Sequence, residues 1–380
     1  MMKQVKIKAK HSMIGFFRFL KWLSLILIVF VGLITLYMMH PQFGKRPSGE
    51  RLKLIQGSAQ FKDGKFRNSS PTPQLTQSWT VALSDYLFKR SAETSPQHQI
   101  PSVPVNWDSL SAKTHGLVWF GHSSYLLRTD GKTILVDPVL SGSISPIPGS
   151  GKAFAGTDVV MAEALPPIDY LFISHDHYDH MDYKTLKALQ PRVDKIIVGL
   201  GVGEHLEYWG YRNDQIIEKD WWDQVDLGSG FKVTVTPARH FSGRSIWSAN
   251  TLWASYVLET PSRKLYLGGD SGYDSHFKEI GDKLGPFDLA ILENGQYDLS
   301  WKHIHMMPEE VVQAAKDLQA AKLLPVHSSK FVLANHAWYE PLERISKEAL
   351  QQQQALITPL IGEVIDLDHA QTGPSYWWKN

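Results

Sequence analysis

Six consecutive residues, His175-Asp176-His177-Tyr178-Asp179-His180, hold three imidazoles and two carboxylates. Neutral imidazole and carboxylate are the donors that borderline divalent ions such as zinc favour. The run follows Ile168-Asp169-Tyr170-Leu171-Phe172-Ile173, a pattern that predicts a buried strand opening into a loop. A strand end is rigid and its loop is accessible, which suits a metal centre. The dense H-x-H-x-D-H spacing sets the run apart from a polar surface loop. Within it Asp176 and Tyr178 alternate with the donors and read as spacers.

Three further candidates share this placement. His240, Asp270 and His327 each stand just after a predicted strand, over 231–236, 264–267 and 322–326. Singly, each is as readily a loop residue or a turn. Together with H-x-H-x-D-H, four strand ends converging on one rim predict a two-metal site. Two divalent ions about 3.5–4 Å apart share a carboxylate and a water, which they acidify toward pH 7. Asp270, after Gly268-Gly269, has the backbone freedom to approach both ions.

The elements that must position these groups begin at His115. Strands are predicted over 116–120, 124–129, 132–136, 168–174, 195–199, 252–259 and 288–292, besides the three named above. Thr129-Asp130-Gly131-Lys132 is a hairpin signal. Helices are predicted over 183–189, 203–209, 308–321 and 342–353, and 356–367 closes the domain with strands. Upstream, 41–110 reads as an extension packed on the main domain. It is irregular over 57–73, an amphipathic helix over 75–88 and an extended linker over 96–104.

The first 21 residues carry Lys3, Lys6, Lys8, Lys10, Arg18 and Lys21 and no acidic group. Residues 22–39 then run without a charge, near the lower limit for a helix that spans a bilayer, with Trp22 and Tyr37 suited to its two interfaces. His40-Pro41-Gln42-Phe43 is a poor cleavage context, so the run reads as an uncleaved single-pass anchor. The lysines before it put the amino terminus in the cytoplasm and the catalytic domain on the outer, periplasmic side. The expected organisation is 1–40 anchor, 41–110 extension and 111–370 catalytic domain.

Composition narrows the chemistry. Lys plus Arg number 39 and Asp plus Glu 38, so bulk charge makes no case for nucleic acid. The chain has no cysteine, which removes disulfides, thiolate ligands and a thiol nucleophile together.

The order of these motifs resembles the metallo-β-lactamase superfamily. That resemblance implies an α/β (α+β) fold, a four-layer αββα sandwich with the metals between the edges of two sheets. More narrowly, Gly121-His122-Ser123-Ser124, Val136-Asp137-Pro138, Pro237-Ala238-Arg239-His240-Phe241, Gly285-Pro286-Phe287-Asp288-Leu289-Ala290, His305-Met306-Met307-Pro308-Glu309-Glu310 and Leu333-Ala334-Asn335 are similar to N-acylphosphatidylethanolamine-hydrolysing phospholipase D and its bacterial relatives. The wider group includes proteins resembling L-ascorbate-6-phosphate lactonase. The likeness spans roughly 50–365 and excludes the anchor.

Carried over by resemblance, one Zn2+ takes His175, His177 and His240, the other takes Asp179, His180 and His327, and Asp270 bridges them. Asp137 either holds a ligand histidine in one tautomer or simply closes an Asp-Pro turn, and His122 stands near the ligands. His305 matches a pocket histidine and, with Asp179, is a candidate to protonate the leaving group. Arg239 and Arg244 flank His240 and are read either as phosphate partners or as salt-bridge partners. Glu293 stands where the related phospholipases are more apolar. It is expected to pair with a nearby Arg or Lys, the alternative being a proton carrier or ligand. Trp221, Trp222, Trp247, Trp253 and Trp301 supply either core packing or an apolar wall for an acyl chain.

The function this implies is hydrolysis of a membrane phospholipid at its phosphodiester, and a homodimer is consistent with the resemblance. A lactonase or other carbonyl hydrolase on a small polar substrate is the alternative with the same metals. A membrane-anchored binding module without catalysis is the other, and the complete ligand set argues against it.

Overall fold

The computed structural model describes residues 2–111, 115–245 and 249–379, with side chains from residue 16 onward. The chain divides into two compact units, Met1–Phe43 and Gly44–Asn380. The first is essentially one helix, α1 (Met2–Met38). Its apolar part, Phe16–Met38, has 23 residues and none of it is buried. At about 1.5 Å per residue it is roughly 34 Å long, enough to cross a hydrocarbon core. The lysines at positions 3, 6, 8 and 10 have side chains outside the described residues.

The second unit opens with α2 (Gly49–Gly57), a small hairpin of β1 (Phe61–Lys62) and β2 (Lys65–Phe66), α3 (Trp79–Phe88) and α4 (Trp107–Ser111). The hairpin lies in the stretch expected to be irregular, because Asp63-Gly64 supplies two left-handed residues for its turn. The helix expected over 75–88 starts only at Trp79, where Ser78 caps the Val81 amide. It is not amphipathic on this body. None of its residues is buried, and Trp79, Val81, Leu83, Tyr86, Leu87 and Phe88 are all exposed.

One sheet then forms from β3 (His115–Trp119), β4 (Tyr125–Thr129), β5 (Lys132–Val136), β6 (Ile168–Ile173), β7 (Val193–Gly199) and β8 (Ile216–Lys219), with α5 (Tyr183–Leu189) and α6 (Gly203–Tyr208) between them. The other takes β9 (Gln224–Gly228), β10 (Phe231–Thr236), β11 (Ser255–Glu259), β12 (Lys264–Leu267), β13 (Leu289–Glu293) and β14 (Leu323–Val326), with α7 (His276–Leu284), α8 (Pro308–Asp317) and α9 (Glu340–Gln351). A last strand, β15 (Val364–Asp366), returns to the edge of the first sheet beside β3. The orders are β15-β3-β4-β5-β6-β7-β8 and β14-β13-β12-β11-β10-β9.

Alternation along the strands builds the layers. In β6, Tyr170 and Phe172 face the other sheet while Leu171 and Ile173 face α5 and α6. In β13, Leu289 and Ile291 face inward, and Ala290 and Leu292 pack under α7 and α8. Helices therefore cover the outer face of each sheet, and the sheets pack on each other through Leu127, Ile134, Val233, Leu258 and Leu265. This is the αββα sandwich. Trp221 and Trp253 belong to that inter-sheet core, and Trp222 packs on it part-buried. Trp247, among the aromatic candidates, lies outside the described residues.

Candidate metal centre

All the strands that feed the site run the same way within their sheets. β3, β5 and β6 end at His122, Asp137 and Ser174, and β10, β12, β13 and β14 end toward His240, Asp270, Glu293 and His327. The donors thus meet where the edges of the two sheets adjoin. The backbone bends sharply to reach that rim. His122, Asp137 and His327 all have positive φ, at 52°, 42° and 66°, which is uncommon for residues with a Cβ and typical of strained functional positions. Gly269, at φ 59°, leads into Asp270, and a Cβ there would lie 2.5 Å from Ser174 Cβ. Close approach of two loops is what the glycine permits.

The sequence-derived donors come together. His175, His177 and His240 form one set whose ring nitrogens all lie within 4.8 Å of one another. His175 Nε2 is 2.8 Å and His240 Nε2 3.3 Å from His177 Nδ1. Asp179, His180 and His327 form another set, joined by His122. Asp270 lies between the two. Its Oδ2 is 3.1 Å from His180 Nε2, 3.8 Å from His240 Nε2 and 3.9 Å from His175 Nε2, and its Oδ1 is 3.2 Å from His327 Nδ1.

The surrounding bonds orient these rings. Asp137, fully buried, accepts from the Ser174 amide at 2.8 Å, from Ser174 Oγ at 2.6 Å and from His180 Nδ1 at 2.9 Å. His180 Nε2 is thereby aimed at the cluster. His240 donates from Nδ1 to the Ile304 carbonyl at 2.9 Å, which frees its Nε2 in the same way. His122 donates from Nε2 to Asp179 Oδ2 at 2.9 Å. It is closer to the donors than its motif alone suggests.

The residues fit metal ions. His180 Nε2, His327 Nε2 and Asp270 Oδ1 are buried without a hydrogen-bond partner, a costly arrangement that a cation relieves. Burial holds His175, His240 and His327 well below the ordinary histidine range, in the neutral form that carries a free lone pair. Burial works against the charge on Asp270, yet His180 and His327 hold it well below the usual carboxylate range. Burial likewise disfavours a proton on His180, but Asp270, Asp179 and Asp137 raise it well above the histidine norm.

The remaining candidates are placed differently from expectation. Glu293 is completely buried and has no Arg or Lys partner among the described residues. Its Oε1 accepts from the Met306 amide at 2.7 Å, and its Oε2 lies 3.5 Å from His305 Nδ1. Burial pushes it up to about 7. The pairing arises because 294–304 loops back and lays His305 against the strand end that Glu293 terminates. His305 also stands with His240 and Asp270 in a third donor set.

Neither arginine faces the cluster with a free fork. Arg239 donates to Thr72 Oγ1 at 3.0 Å, to Pro71 O at 2.9 Å and to Tyr273 O at 3.1 Å. Arg244 is buried, lies over the rings of Tyr178 and Trp209, and donates to the Asp176 carbonyl at 2.8 Å. Asp176 is no spacer. It is buried, and it accepts from the Gly243 amide at 2.7 Å, from Thr251 Oγ1 at 2.9 Å and from His205 Nε2 at 3.3 Å.

Sequence reasoning also missed Asn68. Its Oδ1 accepts from the His240 amide at 3.1 Å and its Nδ2 donates to the His240 carbonyl at 2.7 Å, so the extension clamps a donor loop. A cleft of about 600 Å³ lies there, bounded by 65–72 on one side and by His240, Phe241 and Trp253 on the other.

Comparisons with known proteins agree with this geometry. The profile of the β-lactamase superfamily domain matches residues 132–328. The chain is 38% identical over 336 residues to an uncharacterised protein of Mycobacterium tuberculosis, covering 86% of this chain and 89% of that one. It is 30% identical over 342 residues to N-acyl-phosphatidylethanolamine-hydrolyzing phospholipase D 1 of Caenorhabditis elegans, covering 83% and 94%. In fold it is similar to the crystal structure of an isothiocyanate hydrolase from Delia radicum gut bacteria, at 18% identity and a TM-score of 0.52, covering 68% and 99%. The chain belongs to the metallo-β-lactamase superfamily of metal-dependent hydrolases.

Proposed function

We propose that the protein is a dinuclear zinc phosphodiesterase that hydrolyses glycerophospholipids of the N-acylphosphatidylethanolamine type. The products would be an N-acylethanolamine and a phosphatidic acid. The observation that carries this reading is the likeness to the worm phospholipase. It extends over 94% of that protein, well beyond the metal-bearing strands. The apolar surface of α3 adds support, since a lipid substrate must be drawn from an apolar phase. An all-imidazole and carboxylate donor set, in a chain without cysteine, suits zinc.

Bound ions would polarise the phosphoryl oxygen and acidify the attacking water toward neutral pH. The chain's own residues do the rest. Asp137, Ile304 O and Asn68 fix the two donor loops, so that no reorganisation is needed when charge develops. Attack on phosphorus breaks the bond to the ethanolamine oxygen, and that oxygen leaves with a proton. We assign the proton to His305, which is nearly buried at the rim. Burial disfavours the charged ring, but Glu293 Oε2, 3.5 Å behind its Nδ1, favours the protonated form that has a proton to give. Asp179, whose Oδ2 is engaged by His122, is the less available donor.

The Glu293–His305 pair also suits expulsion of an alkoxide from an ester, so a lactonase is the second reading. Product analysis separates them. Zinc-loaded protein should release N-acylethanolamine from N-acylphosphatidylethanolamine vesicles and leave a lactone panel untouched; the reverse pattern would replace the phospholipase with the lactonase. We further propose that α1 is a single-pass anchor with the amino terminus in the cytoplasm. Protease added to spheroplasts, from which the outer membrane has been stripped, should then digest the catalytic unit.

A further inference from the structure

Gly44 and Lys45, the first residues of the second unit, begin a chain of contacts that ends between two metal donors. Gly44 has φ 73°, and a Cβ at that position would run into the His205 ring. The next amide, Lys45 N–H, donates to His205 Nδ1 at 2.9 Å. An amide can only donate, so Nδ1 must be the acceptor and the ring proton sits on Nε2. That Nε2 points at Asp176 Oδ2, 3.3 Å away. His205 is buried and stacks on Trp209, so it has little freedom to turn.

Two arginine-and-lysine clamps keep the segment in place. Lys45 and Arg51 both reach Glu204, each at 2.9 Å, and Arg51 also meets Glu218 at 2.5 Å. Glu218 in turn accepts from the amides of Gly201 and Gly203, at 2.7 and 3.1 Å, and so fixes the turn that carries His205.

At the far end Asp176 is the residue between His175 and His177. Its other oxygen accepts from Gly243, three residues beyond His240. One buried carboxylate therefore ties together the two loops that supply His175, His177 and His240. Neither Asp176 nor His205 belongs to any donor set.

We propose that His205 and Asp176 are positioning residues for the ion held by His175, His177 and His240, and that Gly44 and the Lys45 amide set the tautomer on which they depend. The first residues of the catalytic unit then govern how tightly one of the two metals is retained. Partners that orient donors without touching the ion change metal affinity by about 10–100-fold in other sites. The inference uses the two-ion reading only for the stoichiometry.

The test is zinc binding by the full-length protein in detergent, measured by competition with a chromophoric chelator. His205→Ala should weaken one zinc equivalent by about 10–100-fold and leave the other within about threefold. His205→Gln, which still offers an acceptor and a donor, should keep both near wild type. Gly44→Ala, which touches no donor and displaces the ring, should reproduce His205→Ala. Unfolding of the metal-free proteins checks that the fold survives, and Gly44→Ala decides if His205→Ala does not fold. Wild-type affinity in His205→Ala overturns the proposal. So does equal weakening of both equivalents, or a His205→Gln as weak as His205→Ala. A wild type that binds a single equivalent would count against the two-ion reading instead, and the ratio of variant to wild type at that equivalent would still decide the role of His205.

Discussion

His305 is the residue on which the chemistry turns most sharply. Its ring lies 5.2 Å from the rings of both His240 and His327, with the Glu293 carboxyl behind it. If it supplies the proton to the leaving oxygen, His305→Ala should lower kcat by about 10²–10⁴-fold with KM and bound metal unchanged. Loss of a metal equivalent in that variant would make His305 a ligand instead. The donors were legible in the sequence because each follows an apolar run that could only be a strand, and the resemblance then divided them between two ions. Asp176 was not. Its partners Gly243, Thr251 and His205 come from three separate segments, and alternation within the motif hides a side chain that turns inward. Glu293 was noticed but given the wrong partner, because a buried carboxylate suggests Arg or Lys until the loop that carries His305 is seen folding back on it.

At the level of elements, the strands expected over 116–120 and 124–129 lie one residue off β3 and β4, whereas others have their observed bounds legible in the sequence. Lys132–Val136, Phe231–Thr236 and Lys264–Leu267 are examples, as is the helix Tyr183–Leu189. Short edge strands were missed. In β8 every residue is half-buried and in β9 alternate residues are exposed, so neither carries a strong apolar run. The helix α7 was missed for a different reason. Its Phe277 and Ile280 give only a short stripe, and Gly281 interrupts it because the backbone of Asp317 passes too close for a Cβ. The junction of β12 and Asp270 is the element most sensitive to a small change. Gly269→Ala adds a Cβ against Ser174 at positive φ. It should destabilise the fold by roughly 1–3 kcal/mol and weaken metal binding, measured by denaturant unfolding and zinc titration. An Ala variant as stable and as metal-loaded as wild type would show that the loops have room to move apart.

The whole molecule places its donors on two sheets. His122, Asp179 and His180 belong to one, His240, Asp270 and His327 to the other, so that ions bound between them would join the halves of the sandwich. Chelation should therefore lower the thermal midpoint of the entire catalytic unit. With free zinc at about a thousand times its Kd, the linkage is worth about 4 kcal/mol, or a shift of roughly 5–10 °C for a domain of this size. A midpoint that ignores chelator would mean that the ions contribute nothing to the join. The four-layer order is implied by the family resemblance, whereas the clamp of the extension on His240 is not, since Asn68 sits in a polar stretch with no periodicity to mark it.

Distributing the donors across both sheets also sets a schedule. They run from His122 to His327, and β14, which delivers the last of them, stands at the end of its sheet, beside β13 and a bridge from Leu323 to Leu356. On a ribosome the H-x-H-x-D-H loop emerges long before its counterparts in the second sheet. Until those arrive it can hold an ion only loosely. Tight metal capture is thus expected late in the life of the chain, once both sheets have been made and have closed on each other.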